Sequence, residues 1–447
     1  MFVASAAGSD AFARDLLAGR ARSHPTVAWW LLGGLRGVGV PPLASYLGLH
    51  LLSLFALGWV VASLARLLTP GKQGVWLASV LAVAPAQAAL GGAPTLDPLF
   101  LPRGAALPLE LGAVVLFLAG GRSRAFALGG MALLMHAPSA VATLAGLGCA
   151  WLLDRSDRGA PLAAIPGALL ALTLASGADF ATPTLDPGAW VLLRARLGHH
   201  LDPSQFPPTA WAVAVAWTGV AWGASRSPGS PHGRSLGGLL GGLLGWALLA
   251  GVAGPALRLR LLLNLEPWQA LRIVMVLGAV LVSRVLAERG RGLVGAWVLL
   301  CLLLSPRPWW RTSSDVTALA HWAREHTEPQ DLFVLPPDLA PGFRVRAQRP
   351  VFGTWKDGGE SQFSARFAAS WSARMRSLSG LQEPPLRREA VAAGYAERPL
   401  SELVRVARDA DADWIVVPRR EGVGEVVAGY SVLRIDGLSV APGAAPP

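Results

Sequence analysis

Glu110 and His136 stand inside apolar stretches of a 447-residue chain, and a titratable side chain at membrane depth is costly enough to be a candidate for function. Glu110 follows Pro108 in a short apolar run. It either reaches interfacial water from a helix end or acts at membrane level. His136 begins His136-Ala-Pro138, where its plain role is a hydrogen bond to carbonyls that the proline leaves free. A third group is Arg194-Ala-Arg196-Leu-Gly-His199-His200-Leu-Asp202-Pro203, preceded by the amphipathic Trp190-Val-Leu-Leu193. The arginine fork matches phosphate oxygens, so this set would hold an anionic head group at a membrane surface; the plain alternative is an interfacial helix anchored by arginine and tryptophan. Neighbouring His199 and His200 lack the i, i+4 spacing of a zinc pair. Arg258, Arg260, Glu266, Gln269 and Arg272 surround Pro267-Trp268. Asp10 and Asp15 lie on the N-terminal segment, with an N-cap for a helix over Ala11–Leu17 and an exposed helix charge as their plain readings. GxxxxGK[ST] is absent, and the GxSxG at Gly233-Arg-Ser-Leu-Gly237 and the GxGxxG at Gly290-Arg-Gly-Leu-Val-Gly295 each open an apolar membrane run instead of following a strand, so serine-hydrolase, P-loop and dinucleotide chemistry are not supported.

The elements that position these residues must be membrane helices. With 53% hydrophobic and 15% charged residues, the chain carries more apolar surface than a soluble core of this size buries, and apolar runs near bilayer length recur. Spans are expected at Ala44–Ala65, Gly74–Ala93, Gly104–Gly120, Pro161–Ser176, Thr209–Ala224, Leu236–Ala256, Ile273–Ala287 and Gly292–Ser305. The run Ala125–Leu153, broken at His136-Ala-Pro138, is one kinked span or two short helices meeting at the break. The total is about 8–10 membrane helices. Gly237, Gly241 and Gly245, with Gly238 and Gly242 beside them, predict close helix packing within the chain or in a homo-oligomer.

Charge gives the orientation. The formal charge is +11, but from Pro306 onward 18 Arg/Lys face 17 Asp/Glu, against 21 and 11 before it. The excess belongs to the membrane part, which argues against a nucleic-acid partner and for arginine-bearing cytoplasmic loops. If the Ala125–Leu153 run returns to the side it entered from, Arg66/Lys72, Arg122/Arg124, Arg155/Arg158, Arg226/Arg234 and Arg289/Arg291 share one face. A single crossing would scatter them. The return is preferred, and it puts the N-terminal segment, the 177–208 loop, Leu257–Arg272 and the C-terminal domain on the opposite, extracytoplasmic face. Arginine far outnumbers lysine, with Lys72 and Lys356 alone, and Ala, Gly and Pro are abundant, which suggests a bacterial, GC-rich origin and hence a multi-pass protein of the inner membrane. Cys149 and Cys301 both lie in apolar runs, so neither a disulfide in the soluble part nor a zinc-finger spacing is available.

Three parts follow: an external segment 1–43 with an amphipathic helix, a transmembrane domain 44–305, and a soluble domain 306–447. In the last, Asp315–His326, Gln362–Leu378 and Leu400–Ala410 read as helices. Asp331–Leu335 and Asp413–Val417 read as buried strands, and Arg344–Arg346 and Val351–Trp355 as short ones. The alternation implies a small α/β layer fold. The fold class is thus an all-α polytopic bundle followed by a small α/β domain.

Four stretches resemble a group of bacterial multispanning proteins similar to the C-type (GT-C) membrane glycosyltransferases. They are Leu134-Met-His136-Ala-Pro138, Arg196-Leu-Gly-His199-His200-Leu-Asp-Pro203, Pro267-Trp-Gln-Ala-Leu-Arg272 and Ala320-His-Trp322-Ala-Arg-Glu-His326-Thr327-Glu-Pro329. The last leads through Phe333-Val-Leu-Pro336-Pro337-Asp338 and Phe343-Arg344 to Arg349-Pro-Val-Phe-Gly-Thr-Trp355-Lys356. The resemblance implies transfer of sugar from a polyprenyl-phosphate donor on the non-cytoplasmic face. It also implies an acidic residue of the first external loop, here Asp10 or Asp15, as base or as ligand of a divalent cation. Arginine or lysine would bind the lipid phosphate, from among Arg194, Arg196, Arg272 and Lys356, with His199, His200, Asp202 and Glu266 lining the same face. The family's first transmembrane helix has no counterpart before Asp10, so the chain reads as if it begins inside that loop. A non-catalytic scaffold binding a lipid-linked glycan, and a transporter using Glu110 and His136, are the competing readings.

Overall fold

The computed structural model describes residues 12–18, 26–69, 100–154, 157–174, 183–226, 232–289, 314–339, 342–382 and 386–436. Asp10, Lys72 and the spans expected at 74–93 and 292–305 lie outside them. The chain divides into two compact units. One comprises Met1–Ala21, Pro187–Arg196 and Trp309–Pro447; the other, Arg22–Asp186 and Leu197–Pro308.

The second unit is a helical bundle: α1 Ala28–Gly37, α2 Pro42–Leu68, α3 Pro102–Leu118, α4 Arg122–Asp154, α5 Ile165–Leu174, α6 Pro187–Leu201, which begins in the other unit, α7 Pro208–Ser225, α8 Gly233–Leu257, α9 Arg260–Asn264 and α10 Ala270–Arg289. A helix lies at each span expected among the described residues, although Ala160–Ala164 is a 3-10 turn before α5. Proline at the first or second helical position starts α2, α3 and α7, where its missing N–H costs nothing. The core is a continuous apolar cluster from Leu57 on α2 to Leu281 on α10. By length and hydropathy, four helical stretches among the described residues suffice to cross a membrane: Pro42–Leu68, Arg122–Asp154, Gly233–Leu257 and Arg260–Arg284.

Arg122–Asp154 does not cross as one helix. A straight helix of that length would hold its ends about 50 Å apart, yet Arg122 ion-pairs with Asp154, and Ser123 Oγ donates to Asp157 at 2.7 Å. A Cβ on Gly129 would touch Leu144 and Leu147. α4 is therefore a helical hairpin that turns at His136, where the backbone leaves helical geometry (φ −156°, ψ 91°), and both ends lie at one end of the bundle. The carbonyls freed at the tip are satisfied from elsewhere: Val27 N donates to Leu134 O and Thr26 Oγ1 to Met135 O. That is what an apolar solvent demands of broken helices.

The glycines of α8 sort by face. A Cβ on Gly238 would sit 2.7 Å from Ala150 Cα, and one on Gly242 2.8 Å from Ala145 O and Gly146 Cα. These two let α8 lie against the second half of the hairpin. The stripe singled out in the sequence faces elsewhere, because Gly237 and Gly245 have nothing within 4 Å and Gly241 only Trp222 at 3.9 Å. Among the described residues, nothing packs closely on that face. Gly242→Leu should cost more than the about 1–3 kcal/mol usual for overpacking, since backbone is what it meets, and should abolish the folded peak in detergent size-exclusion chromatography. Gly245→Leu should elute as wild type.

The first unit is an α/β layer structure. Its elements are α11 Ser314–His326, β1 Phe333–Val334, α12 Ala365–Ser379, α13 Arg388–Glu397, α14 Leu400–Asp409, β2 Trp414–Pro418, β3 Glu425–Val427 and β4 Tyr430–Arg434. The sheet order is β1-β2-β4-β3, with β1 parallel to β2 and the other pairs antiparallel. Strand alternation divides the core. Val334, Ile415, Val417 and Leu433 face α12, α13 and α14 through Trp371, Met375, Tyr395 and Leu403, while Phe333, Val416 and Val432 face α11 through Val316, Leu319 and Trp322. Leu16 and Leu17 of the N-terminal segment belong to the first of these layers.

Two expected strands are not strands. Arg344–Gln348 is a helical turn, because that geometry buries both Phe343 and Ala347 while leaving Val345 70% exposed. Most of Val351–Trp355 is extended, but only Val351 bridges to Phe333. Trp355 opens a 3-10 turn, Trp355–Gln362, started by a reciprocal cap between Thr354 and Asp357.

Candidate functional site

The sequence-predicted residues divide between the units. Arg194, Arg196, Lys356 and Asp15 belong to the α/β unit; His199, His200, Asp202, Glu266, Arg272, Glu110 and His136 belong to the bundle.

In the α/β unit Asp15 is fully enclosed. Its carboxylate accepts from Leu17 N at 2.9 Å, Val351 N at 2.8 Å and Arg344 Nε at 2.7 Å. Arg344 also makes a two-pronged pair with Asp357, at 2.9 and 3.0 Å. Burial pushes the Asp15 carboxyl up. Arg344 pulls it back, Asp357 adds to the rise, and the two backbone amides oppose it. Arg344 is held above the ordinary guanidinium value, because the attraction and hydrogen bonds of Asp357 and Asp15 outweigh a burial that acts against its charge. With three donors on its carboxylate, Asp15 is the anchor that ties the N-terminal segment to the loop before Val351. Arg14 supports the same docking through ion pairs to Asp413 at 2.7 Å and Asp411 at 3.2 Å. The sequence reading of Asp15 as an exposed helix charge is thereby corrected, and residues 12–18 form turns rather than the expected amphipathic helix. Arg196 donates to the carbonyls of Trp355 at 2.9 Å and Lys356 at 3.1 Å. Lys356 and Arg194 are exposed.

In the bundle, Glu110 is fully buried midway along α3, so it does not reach interfacial water. Its Oε1 accepts from Ser139 Oγ at 2.5 Å, and Ser139 Oγ lies 2.8 Å from His136 Nδ1. Ser139 N also points at His136 Nδ1, at 3.4 Å. The imidazole thus meets the amide and hydroxyl three residues ahead, in the position of a helix cap. Arg272 at the start of α10 is within electrostatic reach of Glu110 and contacts Arg103 O.

Between α8 and α10 the chain breaks into α9 and a 3-10 turn, Pro267–Gln269, with Arg258 and Glu266 both at positive φ. Arg260, Asn264, Gln269 and Arg272 are each at most 5% exposed. Trp268 lies on the bare backbone of Gly251 and meets Phe206 and Trp211 edge-on, with centroids 5.4 and 5.5 Å away. Gln269 Nε2 donates to Glu266. Among the described residues, both amide atoms of Asn264, Gln269 Oε1, Trp268 Nε1 and Glu110 Oε2 have no hydrogen-bond partner. The rings of His199 and His200 meet at a 43° tilt at the end of α6, with centroids 4.0 Å apart, and Asp202 caps the turn Pro203–Gln205 through Ser204. No group of three or more His, Cys, Asp or Glu side chains that could hold a metal converges among the described residues.

Residues 314–378 match a domain of unknown function, DUF6798. That stretch holds Arg344, Asp357 and nearly all of α12, while Asp15 reaches it from outside. Among solved structures the chain is similar to the arabinofuranosyltransferase AftD from Mycobacteria, with 17% identity over 92% of this chain and 31% of that one and a TM-score of 0.43. No curated protein matches the chain.

Sequence reasoning missed Ser139, Asn264 and Arg344. Ser139 follows Pro138 directly, the third residue of a helix beginning after His136, which is where a cap at His136 would aim. That signal was available. The roles of Asn264 and Arg344 needed coordinates.

Proposed function

We propose that the chain is a membrane-embedded glycosyltransferase-like protein that binds a polyprenyl-phosphate sugar at the end of the bundle where the α8–α10 break lies, on the non-cytoplasmic side. The observation that carries this is the set of buried polar side chains on the segment Arg260–Arg272. Two arginines and two carboxamides are withdrawn from water inside an apolar bundle, and the carboxamides keep unmet hydrogen-bonding capacity. Buried polar groups are normally satisfied, and arginine with amide donors suits a phosphate joined to sugar hydroxyls. The short-motif resemblance to GT-C glycosyltransferases supports the same chemistry, and the arginine-bearing loops support the orientation. Asp15, with its donors in place, serves this reading as an anchor of the α/β unit and not as the base.

The test is binding of polyprenyl phosphate to the full chain in nanodiscs. Loss of a charged or amide hydrogen bond is worth about 1.5–3 kcal/mol, so Arg272→Met and Asn264→Leu should each weaken binding by roughly 10- to 100-fold. Equal binding by wild type and both variants, or none by wild type, would remove the basis of the reading.

A further inference from the structure

Glu110, Ser139 and His136 form a connected chain of titratable and hydroxyl groups at the hairpin tip. Ser139 Oγ is 2.5 Å from Glu110 Oε1 on one side and 2.8 Å from His136 Nδ1 on the other. A hydroxyl so placed both donates and accepts, so two proton arrangements share one heavy-atom geometry. In one, Nδ1–H donates to Ser139, whose own proton points to a Glu110 carboxylate. In the other, protonated Glu110 donates to Ser139, which donates to a bare Nδ1. The Ser139 amide at 3.4 Å favours the bare nitrogen. Glu110 is wholly buried while the imidazole is half-buried, so the chain of groups leads from the interior toward a more accessible ring. The facing elements supply Thr26, through the Met135 carbonyl, and Thr143, through that of Ser139.

We infer that His136, Ser139 and Glu110 are a proton relay, in which His136 takes the proton of an acceptor hydroxyl and Glu110 stores its equivalent. The inference rests on the glycosyl-transfer reading above. As the acceptor oxygen bonds to the sugar's anomeric carbon, the bond from that carbon to the phosphate oxygen breaks and its electron pair leaves with the lipid phosphate. The acceptor O–H proton passes to His136 Nε2, the ring nitrogen away from Ser139. The Nδ1 proton passes to Ser139 Oγ, and the Ser139 proton to Glu110 Oε1. One proton enters the relay and one carboxylate is neutralised, so charge balances; the proton returns to solvent by the reverse path. His136 would be the catalytic residue, and Ser139 and Glu110 act through it.

A purely structural helix cap would not couple Glu110 to His136. Infrared pH titration of the full chain in nanodiscs isolates the protonated-carboxyl band lost in Glu110→Gln. Under the relay, Ser139→Ala and His136→Gln both shift that band and its pH dependence, and Ser139→Thr, which keeps the hydroxyl, restores it. With radiolabelled polyprenyl-phosphate sugars made by cell membranes, His136→Gln should lower transfer by roughly 10²- to 10⁴-fold while polyprenyl-phosphate binding stays within twofold of wild type. A band indifferent to Ser139→Ala overturns the relay, whatever binds. Normal transfer by His136→Gln overturns the base assignment. Infrared coupling without any binding of polyprenyl phosphate leaves the proton-sharing chain standing but defeats the transferase reading, and with it the role of His136 as base.

Discussion

Arg344→Met should unfold the α/β unit while leaving the helical bundle inserted. The guanidinium is the shared counter-ion of two carboxylates whose side chains are 0% and 3% exposed, and removing one partner from a buried charge network costs about 3–5 kcal/mol, a large share of a domain's stability. Asp15→Ala should cost less, because the fork between Arg344 and Asp357 survives it. The pH dependence carries a sign. Burial already raises Asp15 above its ordinary value, so its contribution to stability is fully present below the unfolded carboxylate value, about 3.9, and is lost as pH rises through the folded value. Without Arg344 the largest opposing influence is gone and the folded value climbs further. Arg344→Met should therefore be most resistant to limited proteolysis in mild acid and least so at neutrality. Wild type should change much less over that range, since the arginine stays charged throughout. A variant that resists protease like wild type at neutral pH would mean that the network carries no weight.

That network also marks where sequence reading stops. Three helices of the α/β unit, α11, α12 and α14, were legible because apolar residues recur at helical spacing: Val316, Leu319, Ala320 and Ala323 all turn inward. The fourth, α13, was not expected, because it buries only Val391 and Tyr395. The strand at Asp413–Val417 was legible as a short β-branched run. The β3–β4 hairpin was not, because β3 is largely exposed and offers no apolar alternation. Arg344-Val-Arg346 misled because its alternation imitates a half-buried strand; the turn is instead chosen by Phe343 and Ala347, which lie four apart. Asp15 presented the larger difficulty. Its partners, Arg344 and Val351, are more than 300 residues distant, and no local pattern separates a carboxylate awaiting substrate from one already surrounded by donors. Glu110 and His136 were recognisable as costly groups in apolar runs, yet the hydroxyl that joins them is an ordinary serine until the hairpin is closed.

Closure of that hairpin predicts an all-or-none result. Gly238 meets Ala150 and Gly242 meets Gly146, so α8 runs antiparallel to the second half of α4, and Arg234 lies at the same end as Asp154. Arg122 and Ser123 are held there by their contacts with Asp154 and Asp157. Arg258, at the far end of α8, lies at the opposite end, where the α8–α10 break lies. Single cysteines at Ser123, Asp157, Arg234 and Arg258, in a chain with Cys149 and Cys301 changed to serine, report each position to a membrane-impermeant maleimide. Intact cells should label Arg258→Cys and leave the other three unlabelled until the membrane is permeabilised, because the arginine-bearing loops belong inside. Two partial failures would mean different things. If Ser123→Cys and Asp157→Cys differ from each other, α4 crosses the membrane and the tip built around His136 is not a tip. If both are labelled from outside and Arg258→Cys is not, the hairpin stands but the bundle is inverted, and the polar break would open to the cytoplasm, where the donor would have to be supplied. Only labelling of Arg258→Cys alone in intact cells joins the relay to an extracytoplasmic sugar acceptor, which makes that pattern the condition on which the proposed chemistry depends.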